Sequence, residues 1–185
     1  EKQMPFTITQ FRSEISKHKN LARPNLFEVN VTGSRASGLA SLMPFMTKIA
    51  SIPPSTMGVV EVPYFGRQVK VPGNRTFDNL SMTILNDEDF TIRNSIENWM
   101  ALMNGHVGNT QNETLANLTT DTSVTIKHYG VAGGNDSLGE WKFINCFPVN
   151  LGEIALDWGS NDTVEEYTVD WAYDYWTHNG GAGAF

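Results

Sequence analysis

The stretch VEEYTVDWAYDYW, Val164–Trp176, alternates almost without interruption. Tyr167, Val169, Trp171, Tyr173 and Tyr175 form one set. Glu166, Thr168, Asp170, Ala172 and Asp174 form the other. Strand side chains point to opposite faces with period two, so this reads as one long strand with an aromatic face and an acidic face. A chain containing it is committed to a sheet that buries one side and wets the other.

The remaining patterns agree with a mainly β domain. NLFEVNVT places Phe27, Val29 and Val31 on an inward face. GVVEVPYFGRQVKVPG reads as a hairpin, with Val59–Tyr64 and Gln68–Val71 flanking a turn at Phe65-Gly66-Arg67. NLSMTILN sets Leu80, Met82 and Ile84 against Ser81, Thr83 and Leu85. TSVTIKHY is a further strand, EWKFINCFPVN another that ends at Pro148, and LGEIALDW a short one before a turn at Gly159–Asp162. The period changes only at 88–103, where Ile92, Ile96, Trp99 and Met103 recur on one helical face. Asn86 or Asp87 caps that helix, Glu88 and Asp89 favour its positive end, and Gly105 stops it. The sum is an antiparallel β-sandwich or barrel of seven or eight strands with one inserted α-helix.

The 185 residues favour one domain, here 24–176. Residues 1–23 read as a basic, polar arm with a short helix near Phe6–Ile15, and 177–185 as a flexible tail. Thr32–Gly58 reads as an extended segment ending in a long loop. Its apolar stretch is bounded by Pro44, Pro53 and Pro54, and such a loop needs a cover. Val107–Asp121 and GVAGGNDSLG read as loops. No apolar run reaches a membrane span, and no signal-peptide pattern is visible from Glu1. Without such a signal, the Asn-x-Ser/Thr triplets read as Asn-rich loops.

Chemistry is hard to find in this chain. His18, His106, His128 and His178 lack metal-ligand spacing, and the lone Cys146 lies in an apolar run as packing. No nucleophile-elbow, P-loop or dinucleotide motif occurs. Glu166, Asp170 and Asp174 stand four residues apart, roughly 13 Å along a strand, whereas paired glycosidase carboxylates lie roughly 5–9.5 Å apart. No cofactor and no catalytic role are expected. A sugar-binding β-sandwich is the enzyme-free alternative that the five Trp would allow. A net charge of −7 argues against a general nucleic-acid binder, while leaving room for contact that must stay loose.

Three blocks carry a resemblance. ARPNLFEVNV (22–31), GRQVKVPGNRTFDNLSMTILNDED (66–89) and FPVNLGEIALDWGSNDTVEEYTVDWAYDYW (147–176) together resemble the tail tube proteins of contractile-tail, T-even-like bacteriophages. Tube proteins of type VI secretion systems and of contractile injection systems are similar in fold. The resemblance implies a structural subunit of the virion tail, assembled in the bacterial cytoplasm. Six copies would join their sheets edge to edge around a pore, and rings would stack into a tube. Its implied partners are other copies of itself, the sheath, baseplate, tail-terminator and tape-measure proteins, and DNA in transit, with no stable membrane binding. A tube of a secretion or injection system, conducting protein, is the alternative.

On that reading, open sheet edges acquire partners, and the apolar loop is covered by the next ring. The contact residues expected between rings or subunits are Leu42, Phe45, Met46, Ile49, Ile52, Met57, Tyr64, Phe65 and Arg67. Glu166, Asp170 and Asp174 are expected to face either the lumen or the sheath. Six copies at −7 each carry about −42 per ring, which suits a conduit that must not hold phosphates.

Overall fold

The computed structural model describes residues 7–17, 21–131 and 137–179. The arm contains α1 (Ile8–Lys17). A reciprocal capping box opens it: Gln10 N–H donates to Thr7 Oγ1, and Thr7 N–H donates to Gln10 Oε1. None of its residues is buried, and Ile8 and Phe11 are both exposed.

Ten strands follow. They are β1 (Phe27–Thr32), β2 (Thr47–Ala50), β3 (Ser55–Tyr64), β4 (Arg67–Phe77), β5 (Leu80–Leu85), β6 (Ser123–Tyr129), β7 (Ser137–Ile144), β8 (Phe147–Leu151), β9 (Glu166–Ala172) and β10 (Tyr175–Asn179). Three helices interrupt them: α2 (Met43–Met46), α3 (Thr91–Met103) and α4 (Leu115–Thr119). The strands make two four-stranded antiparallel sheets, ordered β1-β6-β7-β10 (sheet A) and β2-β5-β9-β8 (sheet B), plus the separate β3–β4 ribbon. One core lies between the sheets. Sheet A supplies Val29, Val31, Val124, Ile126 and Phe143; sheet B supplies Leu80, Met82, Ile84, Tyr167, Val169 and Trp171. Helix α3 adds Ile92, Ile96 and Trp99, with Trp99 edge-on to Trp171 at 5.6 Å and its indole N–H donating to the Leu118 carbonyl of α4. The mainly β, antiparallel class expected from the sequence is what the chain adopts.

Several boundaries differ from expectation, each for a local reason. The stretch Val164–Trp176 is two strands in two sheets, broken at Tyr173–Asp174. Tyr167, Val169 and Trp171 are buried as the alternation requires. Past the break the phase inverts: Tyr175 is exposed and Trp176 packs on the core. Tyr173 fills the corner, edge-on to Phe143 at 4.9 Å and against Phe77. Sandwich corners are made in this way, by a strand that changes sheet at a bend. EWKFINCFPVN is likewise two strands, because Asn145 adopts a left-handed conformation (φ 57°) and the chain crosses from sheet A to sheet B there. Pro148 lies inside β8, an edge strand where its missing N–H costs little. The two corners are tied together: Asn145 Nδ2 donates to Asp174 Oδ2 at 2.5 Å.

Thr32–Gly58 holds α2 and β2 rather than one long loop, and β3 already begins at Ser55. Helix α3 starts at Thr91, not 88. A turn over Asp87–Phe90 precedes it, Phe90 is left-handed (φ 54°), and Asp87 Oδ2 accepts the Thr91 N–H. The helix stops because Asn104 is extended, with Gly105 playing no part in the cap. Helix α4 lies in the expected 107–121 loop. Only Leu151 of the expected strand at 151–158 is in a strand. Ser137–Gly139 of the expected Gly-rich loop belong to β7, and Ala132–Asp136 fall outside the described residues. Thr177–Asn179 extend β10 past the expected domain end at 176; the rest of the expected tail, 180–185, lies outside the described residues.

Candidate assembly surfaces

Sheet B organises the exposed features, because it has two distinct ends. At one end β5 starts with Leu80 opposite Trp171. The β3–β4 ribbon leaves from this end, its base residue Phe77 packed on Tyr173 and Trp176. At the other end Leu85 pairs with Glu166, and Asn86 N–H donates to the Glu165 carbonyl. Thr47 pairs with Ile84, so α2 enters β2 from this second end. The β8–β9 connection, residues 152–165, also begins and ends there, since Leu151 lies opposite Val169.

Beyond its base the ribbon stands apart: among the described residues no other strand or helix packs along it. Each strand is about 30 Å long at ~3.3 Å per residue. Its two-residue turn has Phe65 at φ 46° and Gly66 at φ 76°. A type I′ turn needs both positive values; glycine accepts one freely, while a bulky side chain at the other costs roughly 1–2 kcal/mol. Phe65 bears that strain while 90% exposed, edge-on to Tyr64 at 4.6 Å. The cross-strand pairs Val60–Val71 and Val62–Val69 put an apolar face on the ribbon, with Tyr64 and Arg67 at its tip. All four valines are exposed. Glu61 and Lys70 occupy the opposite face, 3.9 Å apart. A two-stranded ribbon with both faces wet is marginal alone.

The second end is acidic. Segments 86–90 and 152–166 contain eight Asp or Glu and no Lys or Arg. A cleft of 360 Å³ lies between them, lined by Asn86, Asp87, Glu88, Phe90, Val164 and Glu165. Asn86 Nδ2 donates to Glu165 Oε2 at 2.8 Å, yet Asn86 Oδ1 and Asp87 Oδ1 have no hydrogen-bond partner. Burial raises the Asp87 carboxyl, but the Thr91 hydrogen bonds outweigh it, so the group stays below its ordinary range and holds its charge. Within the β8–β9 connection, the Asp157 carboxylate takes the Gly159 N–H and the Ser160 hydroxyl, fixing a tight turn that leaves Trp158 completely exposed.

The expected contact residues are thus divided between the ends. Phe45, 82% exposed, sits at the acidic end with α2. Ile52, Met57, Tyr64, Phe65 and Arg67 belong to the ribbon end, where the chain leaves β2, and the apolar ones among them are exposed. Ile49 is exposed on β2, an edge of sheet B. Leu42 and Met46 pack against the core from the surface, so they present less area than the sequence implied. The acidic residues form no single ladder. Glu166 pairs with Lys48 and Asp170 accepts from Asn150 Nδ2 at 2.9 Å, both on the outward face of sheet B, while Asp174 is a corner residue. Val164 and Trp158 are not singled out by periodicity, and Asp87 is read from the sequence only as a helix cap, where it does accept the Thr91 N–H. The available signal was an apolar pair, Leu156 and Trp158, among turn-forming residues.

Sites for chemistry are poor. The groove along α3 (710 Å³) holds the Arg93–Glu97 ion pair and His106. Burial pushes the Cys146 thiol up to about 12, leaving it protonated and inert. Among the described residues no group of three or more His, Cys, Asp or Glu could hold a metal ion. On sheet A, hydrogen bonds from Tyr129 and Asn30 hold the Glu28 carboxyl below its ordinary range, a local polar network.

A ribbon apart from the sandwich, four edge strands and two different ends of sheet B stand out among the described residues. A family model described as phage tail tube protein matches residues 22–179. The chain belongs to the phage tail tube protein family. Tail tube protein gp19 of Enterobacteria phage T4 is 29% identical over 159 residues, 85% of this chain and 91% of that protein. The tail tube protein of Serratia phage KSP90 is 25% identical over 171 residues, covering 90% and 94%. Among solved structures, a chain of the sheath–tube complex of an extracellular contractile injection system shares the fold, with a TM-score of 0.59 at 18% identity over 95% of this chain and 99% of that one. As a tail tube protein, this chain has its place in the virion tail.

Proposed function

We propose that this tail tube protein assembles as six-membered rings that stack head to tail into the inner tube of a contractile tail, with DNA passing through the lumen. The observation that carries the stacking is the placement of the bare ribbon and the acidic end at opposite ends of one sheet. A heterologous contact repeated along an axis needs two different, opposed surfaces on each copy. Ring closure pairs the open edges β2 and β8 of sheet B with neighbouring copies. Six four-stranded sheets give 24 strands and, at ~4.8 Å per strand, a barrel about 37 Å across before tilt widens it.

The outward face of sheet B is the better channel wall. It displays Glu166, Asp170, Thr83 and Thr168, and its one lysine, Lys48, is engaged by Glu166. A wall without available cations forms few phosphate contacts and lets a duplex slide. The polypeptide divides into an arm (1–23), a tube domain and a short tail, and the protein performs no catalysis. Its partners are the sheath, baseplate, terminator and tape-measure proteins. For the first three, support comes from the fold shared with chains of a sheath–tube complex, a tube-terminating cap and a baseplate of injection systems. Phage relatives at 25–29% identity favour DNA over protein as cargo.

Phe45→Asp and Ile52→Asp test the stacking. Each is expected to abolish tubes seen by negative-stain microscopy while leaving the circular dichroism spectrum intact. Normal tubes from both variants would remove the stacking proposal.

A further inference from the structure

We propose that helix α1 of the arm is a clasp between ring neighbours, its apolar stripe lying in the groove along α3 of the next copy. This rests on the ring closure proposed above and adds a second lateral contact to the strand pairing.

The helix needs a cover. Ile8, Phe11 and Ile15 recur at i, i+3 and i+7, on one face. Ile8 is 75% exposed and Phe11 63%. A helix of ten residues is marginal in water without a tertiary contact, even with a capping box at its start. The family match begins at residue 22, so α1 lies outside it.

The topology selects the surface that the arm meets. Its root is fixed to sheet A: the Tyr129 N–H donates to the Leu26 carbonyl, and the His128 ring Nε2 lies 2.8 Å from the Arg23 carbonyl. Between Arg23 and α1 stand residues 18–22, which span at most about 17 Å at full extension. The helix is therefore tethered close to the start of β1. Strand β1 touches β2, one edge of sheet B. Helix α3 packs on β8, the other edge, with Arg93 Nη1 donating to the Gly152 carbonyl at 3.0 Å. It is the far end of β1 that neighbours α3. There Thr32 pairs with Ser123, just after α4, whose Leu118 carbonyl takes the Trp99 indole N–H. The arm root is thus separated from its own α3 by the length of β1, about 20 Å. Pairing β2 with β8 of the next copy instead brings the arm-bearing flank of one chain against the α3-bearing flank of its neighbour.

The groove suits an amphipathic helix. It measures 710 Å³ and is lined by Arg93, Glu97, Met100, Asn104, His106 and Leu151. Met100 and Leu151 give it apolar surface backed by the core. Charge points the same way. Residues 1–23 carry five Lys or Arg against two Glu, a net charge of +3, which leaves −10 on the remainder. The groove's arginine, Arg93, is engaged by Glu97 and by the Gly152 carbonyl, while Glu153 beside it is exposed. A basic helix is drawn to such a flank and held in register on it.

The experiment uses the full chain assembling in vitro. Phe11→Glu is expected to raise the protein concentration needed for rings about tenfold. Its circular dichroism spectrum stays that of the wild type, because Phe11 is exposed in its own chain. Phe11→Cys combined with Glu97→Cys supplies the second readout. Under mild oxidation the pair is expected to give a ladder of covalent multimers that ends at six copies, since a lateral contact closes on itself. Neither single variant gives it, native Cys146 being buried. Both results are required. Rings from Phe11→Glu at the wild-type concentration would assign the stripe to another partner, such as the sheath, and overturn the clasp. So would a cross-link within one chain, a ladder running past six, or no cross-link. In each of those cases wild-type rings in negative stain leave ring closure standing, whereas a wild type that forms no rings removes both proposals.

Discussion

Strands β5 and β3 look alike in sequence and differ completely in fate. LSMTIL alternates apolar and polar residues, and GVVEVPY sets Val60, Val62 and Tyr64 on one face. In β5, Leu80, Met82 and Ile84 are buried, the strand lies between β2 and β9, and the three share one core with Ile92, Ile96 and Trp99 of α3. In β3 no position is buried, on either face. Alternation reports that a strand has an apolar face; it does not report whether the covering surface lies in the same chain. On the proposed assembly, the ribbon is the part of the molecule whose cover comes from another copy. That contrast predicts that substitutions in the sandwich act on stability, and those in the ribbon act on assembly.

The largest stability effect belongs to Trp171→Ala. It empties the centre of sheet B and strands Trp99, so a loss of about 3–5 kcal/mol is expected in urea titration. A loss below about 1 kcal/mol would mean that the sandwich is not the principal core. Asp174→Ala breaks the link to Asn145 between the two corners, and about 1 kcal/mol should go with it. Asp87→Ala removes the acceptor of the Thr91 N–H, with a similar cost of about 1 kcal/mol at neutral pH. The Asp87 carboxyl is lowered in the folded state, so its contribution is fully present above the unfolded carboxylate range. It is lost as pH falls through the folded value. The gap between Asp87→Ala and wild type should therefore close in acid; a constant gap from pH 7 to pH 2 would count against a charged acceptor.

Smaller effects sharpen the contrast. Val60→Asp, on the ribbon's apolar face, should change monomer stability by less than about 0.5 kcal/mol yet prevent tubes. Unfolding of the monomer by this change would place the ribbon in the intramolecular core. Lys48→Ala removes one exposed ion pair with Glu166 and should cost at most about 0.5 kcal/mol.

What the sequence made legible follows from range. Strands β1, β5 and β6 and the buried face of α3 were readable because short-range periodicity alone sets which residues face the core. The hairpin turn was readable because glycine at Gly66 supplies a conformation other residues resist. The corners were not readable. Asn145 and Asp174 are poor strand formers, but a single Asn or Asp is too weak a signal to mark the place where the chain crosses between two packed sheets. The contact surfaces were half legible. Phe45 and Phe65 are both expected from the sequence as contacts between rings or subunits, and pairing puts them at opposite ends of a sheet, which only the register Thr47–Ile84 and Leu80–Trp171 reveals. Asp87 and Glu165 read as a helix entrance and a strand lead-in because their neighbour across the cleft lies far away in sequence.

The central claim is that the open edges of this fold are completed by copies of the same chain. A cryo-electron microscopy map of the polymerised protein tests it most directly. The account predicts six-fold rings in which β8 of one copy pairs with β2 of the next, closing a 24-stranded wall, with each ribbon seated on the ring beside it. A protein that stays monomeric at high concentration, or rings whose sheet B edges face solvent, would contradict it.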